Sequence, residues 1–280
     1  MGIQAPQSVG LPLREPKCSC DHLYLPEVGL IIVSASINDR QRRQHATSFG
    51  AAAREYRRGR PPYPREAVDW LLPTGAATVV DLGAGTGKFT ELLVAPGREV
   101  IAVEPSAGMR EQLADAVPAA TVHGGTAERI PLPDASADAV LMAQAWHWVD
   151  PELAVPEIAR VLRPGGTLGL VWNIRDSREP WVAELDDLLH HHSRQDLDTA
   201  PELPAPFAAA ERAEFSWRHT LTRDAVLDMI ASRSYVIVLP EPERAELLGN
   251  VTELLASHPD LADHDDIVLP YVTRCTRATR

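Results

Sequence analysis

Asp81, Gly83, Gly85 and Gly87 alternate in the run Asp81-Leu82-Gly83-Ala84-Gly85-Thr86-Gly87, directly after the apolar pair Val79-Val80. Glycines between a strand and a helix permit tight turning and let a ligand press against the backbone. A phosphate-cradling P-loop is excluded, because it would need Gly where Leu82 stands and Ser or Thr where Phe89 stands. A dinucleotide fingerprint needs its third glycine at position 88, which is Lys88. The acid Asp81 argues the same way. A carboxylate two residues before the first glycine repels a pyrophosphate and favours a ligand carrying ammonium and sulfonium charges.

Further polar residues fall at similar junctions. Val100-Ile101-Ala102-Val103-Glu104 places an acid 17 residues beyond Gly87, where a carboxylate can accept both hydroxyls of a ribose. NAD enzymes carry such an acid too, so this one residue leaves both classes open. Pro105-Ser106 offers a helix cap, and Met109 follows it. Then come Gly125-Thr126-Ala127-Glu128 before Ile130-Pro131-Leu132-Pro133-Asp134, next Asp138-Ala139-Val140 with Gln144, and last Val161-Leu162-Arg163-Pro164-Gly165-Gly166.

This series, in this order, resembles the class I S-adenosylmethionine (SAM)-dependent methyltransferases over about Val79 to Asn173. Phe49, Tyr56, Arg60-Pro61, Tyr63-Pro64 and the stretch Ala143-Gln144-Ala145-Trp146-His147-Trp148 are similar to the branch that acts on small metabolites, the trans-aconitate methyltransferase-like group among them. The resemblance implies that SAM is held by Asp81, Gly83, Gly85, Gly87, Glu104, Met109, Thr126, Ala127, Glu128 and Gln144. It implies a segment folding over the site that includes Tyr56, Arg57, Arg60 and Tyr63. Arg60 there pairs with the methionine carboxylate or with an acidic substrate, or is a solvated basic helix end. Methyl transfer needs a nucleophile aligned with the S–CH₃ bond and water kept out, and few catalytic side chains. In open α/β sheets the acceptor sits beyond the carboxyl ends of the strands. Trp146, His147, Trp148, Asn173 and Arg175 are the candidates there. His147 is either a general base or, with the two tryptophans, a wall of the pocket.

The elements that must position these residues alternate. Strands are expected at Val79–Leu82, Val100–Val103, Ala120–His123, Ala137–Ala143 and Thr167–Trp172, with helices at Glu66–Leu72, Lys88–Val94, Gly108–Ala116 and Glu152–Leu162 between them. Strands so apolar imply a parallel sheet covered on both faces. Later, Trp181–Leu189, Asp224–Ser232 and Pro242–Ser257 read as helices, and Phe215–Leu221 and Ile267–Thr273 as strands. The expected fold is an α/β Rossmann-like three-layer sandwich: a mostly parallel seven-stranded sheet with an antiparallel C-terminal strand. Residues 1–42 lack any period and read as a poorly ordered extension to a domain spanning 43–280. Within it, 43–72 form N-terminal lid helices and 174–212 a lid or insert.

Charge narrows the partners. Of the net charge of −12, residues 1–60 contribute +4 and residues 61–280 contribute −16, a poor match for a phosphate backbone, so a small-molecule substrate and no nucleic acid are expected. The longest apolar run, Val28–Ile37, is short of the roughly 18 residues of a membrane span, so no membrane partner is expected. Cys18, Cys20 and Cys275 form no disulfide framework and read as reduced thiols of a cytoplasmic protein. His190-His191-His192 cannot converge on one ion from consecutive helical positions, so no metal is expected. The paired acids Asp186-Asp187 and Asp265-Asp266 read as solvated faces. Nothing in composition or periodicity assigns an oligomeric state. Two other functions share the architecture: an NAD(P)-dependent oxidoreductase and a non-catalytic SAM-binding protein.

Overall fold

The computed structural model describes residues 60–190, 201 and 203–280. The extension over 1–42, the helix around Phe49, Ala53 and Tyr56, Arg57, and His191 with His192 lie outside the described residues. Within them the order is α1 (Arg65–Leu71), β1 (Thr78–Leu82), α2 (Thr90–Leu93), β2 (Glu99–Val103), α3 (Ala107–Ala116), β3 (Thr121–His123), β4 (Ala137–Ala143), a 3₁₀ turn (Trp146–Trp148) and α4 (Pro151–Val161). There follow β5 (Leu162–Arg175), α5 (Pro180–His190), β6 (Glu211–Thr222), α6 (Arg223–Ala231), α7 (Ser234–Ile237), α8 (Glu241–Ser257) and β7 (Asp266–Thr279).

The seven strands form one sheet in the order β3-β2-β1-β4-β5-β7-β6. Pairs from β3 through β5 are parallel, and β7 runs antiparallel to both β5 and β6. The expected mostly parallel sheet with a reversed C-terminal strand is what forms. Successive strands leave β1 first toward β2 and then toward β4, so the strand order reverses at β1. In open α/β sheets such a reversal opens a crevice at the carboxyl ends.

Alternation along each strand divides the core between two faces. Val80, Val140, Met142 and Leu170 pack with Ala154, Val155 and Ile158 of α4. Val79, Leu141 and Val171 turn the other way, onto Ala67, Val68 and Leu71 of α1. Asp138 fixes the non-site end: its Oδ2 accepts from the backbone N–H groups of Ala77 and Thr78, both at 2.8 Å, and its Oδ1 meets Arg163.

Four expectations are corrected. The helix expected over Lys88–Val94 is only Thr90–Leu93, because the glycine loop continues as turn through Phe89. The break expected at Arg163–Gly166 is absorbed into β5, as a register shift between the Ala137↔Leu162 and Ala139↔Thr167 pairs. The last two strands run to 12 and 14 residues, longer than expected, because arginines on β7 find acids across the ladder: Arg274 meets Glu214 and Arg277 meets Glu211. Asp186 is no solvated acid; it forms a salt bridge with Arg175, each side chain 14% exposed. Asp187, Asp265 and Asp266 are exposed as expected. Of the stretch 174–212, Ile174 and Arg175 complete β5, and α5 buries Trp181, Val182, Leu185 and Leu189 against α6 and α8.

Candidate functional site

The glycine loop leaves the carboxyl end of β1. Its three glycines all adopt left-handed backbone, with φ of +73° at Gly83, +57° at Gly85 and +84° at Gly87. Their surroundings separate three jobs. A Cβ on Gly83 would lie 2.8 Å from the Cβ of Ala145, so this glycine lets β1 and the loop after β4 approach. A Cβ on Gly87 would lie 3.0 Å from Leu113 Cγ, against α3. A Cβ on Gly85 would meet no atom within 4 Å, so that side of its backbone borders open space. This is the position a ligand can reach.

Glu104, 6% exposed, stands at the end of β2 and is oriented from both sides. Its Oε2 accepts from the Gly85 N–H at 2.9 Å and its Oε1 from the Ser106 N–H at 2.8 Å. One lone pair on each oxygen remains for a second donor. Ser106 stands at the N-cap of α3 but makes no side-chain cap. Burial raises the Glu104 carboxyl, opposed by those two N–H groups and by Arg110. Arg110 donates to the carbonyls of Glu104 and Pro105, a brace that no sequence motif announced.

Asp81 is fully buried. Its Oδ2 accepts from Thr90 Oγ at 2.6 Å, and its Oδ1 is buried with no hydrogen-bond partner. Burial pushes this carboxyl up to about 7; Thr90 opposes the rise and the nearby Glu104 charge adds to it. A buried, unpartnered carboxylate oxygen under a glycine loop suits a cationic ligand and would repel a phosphate.

Met109 is buried on α3. After β3, Thr126 closes a tight turn with Arg129, Ala127 enters the core, and Glu128 Oε1 accepts from the Asp150 N–H. Gln144, at the end of β4, has φ +56° and is held there by two bonds: its N–H to the Val171 carbonyl and its Nε2 to the Asn173 carbonyl. Trp146 is buried in the same core cluster as Leu82 and Ala127. His147 packs on Trp148, with ring centroids 4.7 Å apart. Its Nδ1 is buried without a partner, and burial, aided by Arg60, lowers the imidazole to about 4. Such a group is neutral at pH 7 and a poor proton acceptor.

Asn173 carries a different role from the one expected. Its Nδ2 donates to the Pro62 carbonyl at 2.8 Å and its Oδ1 accepts from Thr273 Oγ at 2.6 Å, which commits its amide to the fold. The effect is to tie residues 60–63 across the strand ends. Tyr63 packs edge-on against Phe89 at 5.0 Å, and Arg60 lies near enough to influence His147. Arg175 is likewise engaged with Asp186.

With this geometry in view, the comparisons agree with one another. The methyltransferase domain model matches residues 80–170. An uncharacterized methyltransferase of Mycobacterium tuberculosis is 52% identical over 238 residues, covering 85% of this chain and 98% of the relative. A methyltransferase-like protein of Schizosaccharomyces pombe is 34% identical over 238 residues, covering 81% and 93%. The solved structure of a putative type II methyltransferase from Anaeromyxobacter dehalogenans superposes with TM-score 0.60 at 26% identity, covering 79% of this chain and 97% of that one. The chain belongs to the class I SAM-dependent methyltransferase family.

Proposed function

We propose that this protein binds SAM against the glycine loop, in the open space bordered by Gly85 and Glu104, and transfers its methyl group to a small-molecule acceptor. The observation that carries the reading is the pairing of open space at a left-handed Gly85 with a carboxylate that the Gly85 N–H itself orients. Glu104 is placed to take the ribose hydroxyls, Asp81 to balance positive charge, and Met109 with the turn at Thr126–Glu128 to border the adenine. When bound, SAM supplies an activated methyl group. The chain's own residues position the acceptor and exclude water: the 60–63 segment covers the strand ends, and Trp148, His147 and Gln144 border the carboxyl end of β4. We read His147 as a neutral hydrogen-bonding wall, which suits an acceptor that needs no deprotonation.

The acidic balance of residues 61–280 supports a small molecule over a nucleic acid. No helix among the described residues is long and apolar enough to cross a membrane. Isothermal titration calorimetry with SAM and with S-adenosylhomocysteine tests the assignment, with NADH as the competing ligand. Binding of both thioether nucleosides and no binding of NADH is expected. The reverse result would overturn the SAM assignment.

A further inference from the structure

Beyond β4, on the side of the sheet away from Glu104, three arginines from distant parts of the chain converge. Arg175 ends β5 and sits opposite Tyr271 of β7 in the ladder. Tyr271 is buried, stacks on Trp217 at 5.0 Å and donates its hydroxyl to Met229 Sδ of α6. Arg233 follows α6 and forms the N-cap of α7. Arg60 comes from the segment tied down by Asn173.

The charges around Arg233 are those of Arg60 and Arg175, with the phenols of Tyr235 and Tyr271 beside them. Burial, and then those two guanidinium groups, bring Arg233 down to about 10, still a cation at neutral pH. Asp186, which pairs with Arg175, is already taken. Arg233 makes no side-chain hydrogen bond or ion pair among the described residues, and its Nε is buried. Arg233 is half-buried as a whole, but a guanidinium whose Nε is sealed from water without an acceptor, among cationic neighbours, is costly, and arginine does not escape by losing its proton. Such a group is tolerated when an anion from outside completes it.

We propose that this cluster is the acceptor's anchoring site, and that the acceptor carries an oxyanion, a carboxylate or a phosphate, held by Arg233 with Arg60. The inference rests on the methyltransferase reading of the neighbouring cleft. It differs from a site for the cofactor's own carboxylate by position. β7 lies three strands from β1, and β5 three strands from β2, each about 14 Å at ordinary strand spacing. His147 and Arg60 stand between the two halves, so an acceptor fixed at Arg233 reaches back toward the glycine cleft.

The test uses the full chain saturated with S-adenosylhomocysteine, whose binding is first measured alone. Failure at that step removes the cofactor reading, separately from this one. Acetate, malonate, inorganic phosphate and ethylenediamine are then titrated at constant ionic strength against chloride, followed by thermal shift and calorimetry. The wild type is expected to be stabilised by malonate or phosphate and not by the diamine; the stronger of the two identifies the oxyanion. Arg233→Met is expected to lose at least tenfold in affinity for that anion. It should also melt a few degrees above the wild type in chloride, because an uncompensated buried charge is gone. Arg233→Lys retains part of the response, which covers the case in which the methionine variant does not fold. Arg178→Met, at an exposed residue paired with Asp176, leaves the response unchanged. A wild type indifferent to all the anions, a preference for the diamine, or an anion response that survives Arg233→Met overturns the proposal.

Discussion

Replacing Asp81 by asparagine isolates the electrostatics of the glycine cleft, because the amide keeps an acceptor for Thr90 and removes only the charge. The Asp81 carboxyl stands at about 7 in the folded protein, against an ordinary value near 4. Between those values the folded chain holds a proton that the unfolded chain has released. Stability therefore falls as pH rises through this window, by about 4 kcal/mol once Asp81 is fully ionised. A cationic ligand beside the carboxylate favours its ionised form, so binding expels the proton. Affinity for SAM is then expected to rise about 25-fold between pH 5.5 and 7.5 and to level off above that range. Calorimetry at pH 6 in buffers of different ionisation enthalpy should show close to one proton released. Asp81→Asn should bind more weakly at pH 7.5, show a nearly flat profile, and unfold at higher urea than the wild type above neutrality. Glu104, also raised by burial, contributes in the same direction, and Glu104→Gln removes its share. A wild-type affinity that is flat over pH 5.5–7.5, or proton uptake on binding, would refute the argument.

Gly83→Ala meets Ala145 at 2.8 Å as well as an unfavourable φ, and should cost roughly 2–4 kcal/mol in urea unfolding. Gly85→Ala meets only the φ penalty, about 1 kcal/mol, yet should lose at least tenfold in SAM affinity; equal destabilisation by the two would contradict the assignment of roles. Asn173→Ala leaves the Pro62 carbonyl without this donor and the Thr273 hydroxyl proton without its acceptor, and should cost roughly 2–3 kcal/mol, with faster amide exchange around Tyr63. Burial pulls the Asp138 carboxyl up, but the Thr78 N–H, Arg163 and the Ala77 N–H outweigh it and hold the group below its ordinary value. Its stabilisation is complete above about pH 4 and disappears as pH falls through the lowered value, so Asp138→Asn should flatten the acid limb of the pH–stability curve.

The parts of this molecule that were legible in its sequence are those that local chemistry enforces. Ala137–Ala143 is a strand with the expected bounds, because its apolar run is long and turn residues close it. The glycine loop was legible because each glycine needs positive φ and leaves a mark that other residues cannot imitate. What stayed hidden depends on tertiary pairing. Asp186 looks like any acid on a helix, and only the return of β5 beside α5 shows it bound to Arg175. Asn173 stands out in the sequence only as a polar residue at a strand end, and its partners could not be read there, since Pro62 and Thr273 reach it from 111 and 100 residues away. Arg233 follows a helix in a region with no motif, and a buried cation has no periodicity to betray it.

These hidden residues explain a division of labour across the sheet. The half from β1 to β3 carries local motifs, because the glycine loop and the carboxylate that its Gly85 N–H orients stand at junctions whose spacing the chain itself sets. The half from β5 to β7 carries side chains brought together by an antiparallel return, so its ladder fixes Tyr271 against Arg175 without any short motif. Gln144 sits between them in a strained left-handed conformation, bonded to β5 through both its backbone and its amide. That strain, of order 1 kcal/mol, persists only because β4 and β5 jointly determine it. Ala145 follows Gln144 and lies close enough to Gly83 to touch any Cβ there, so the strained end of β4 and the glycine loop meet directly.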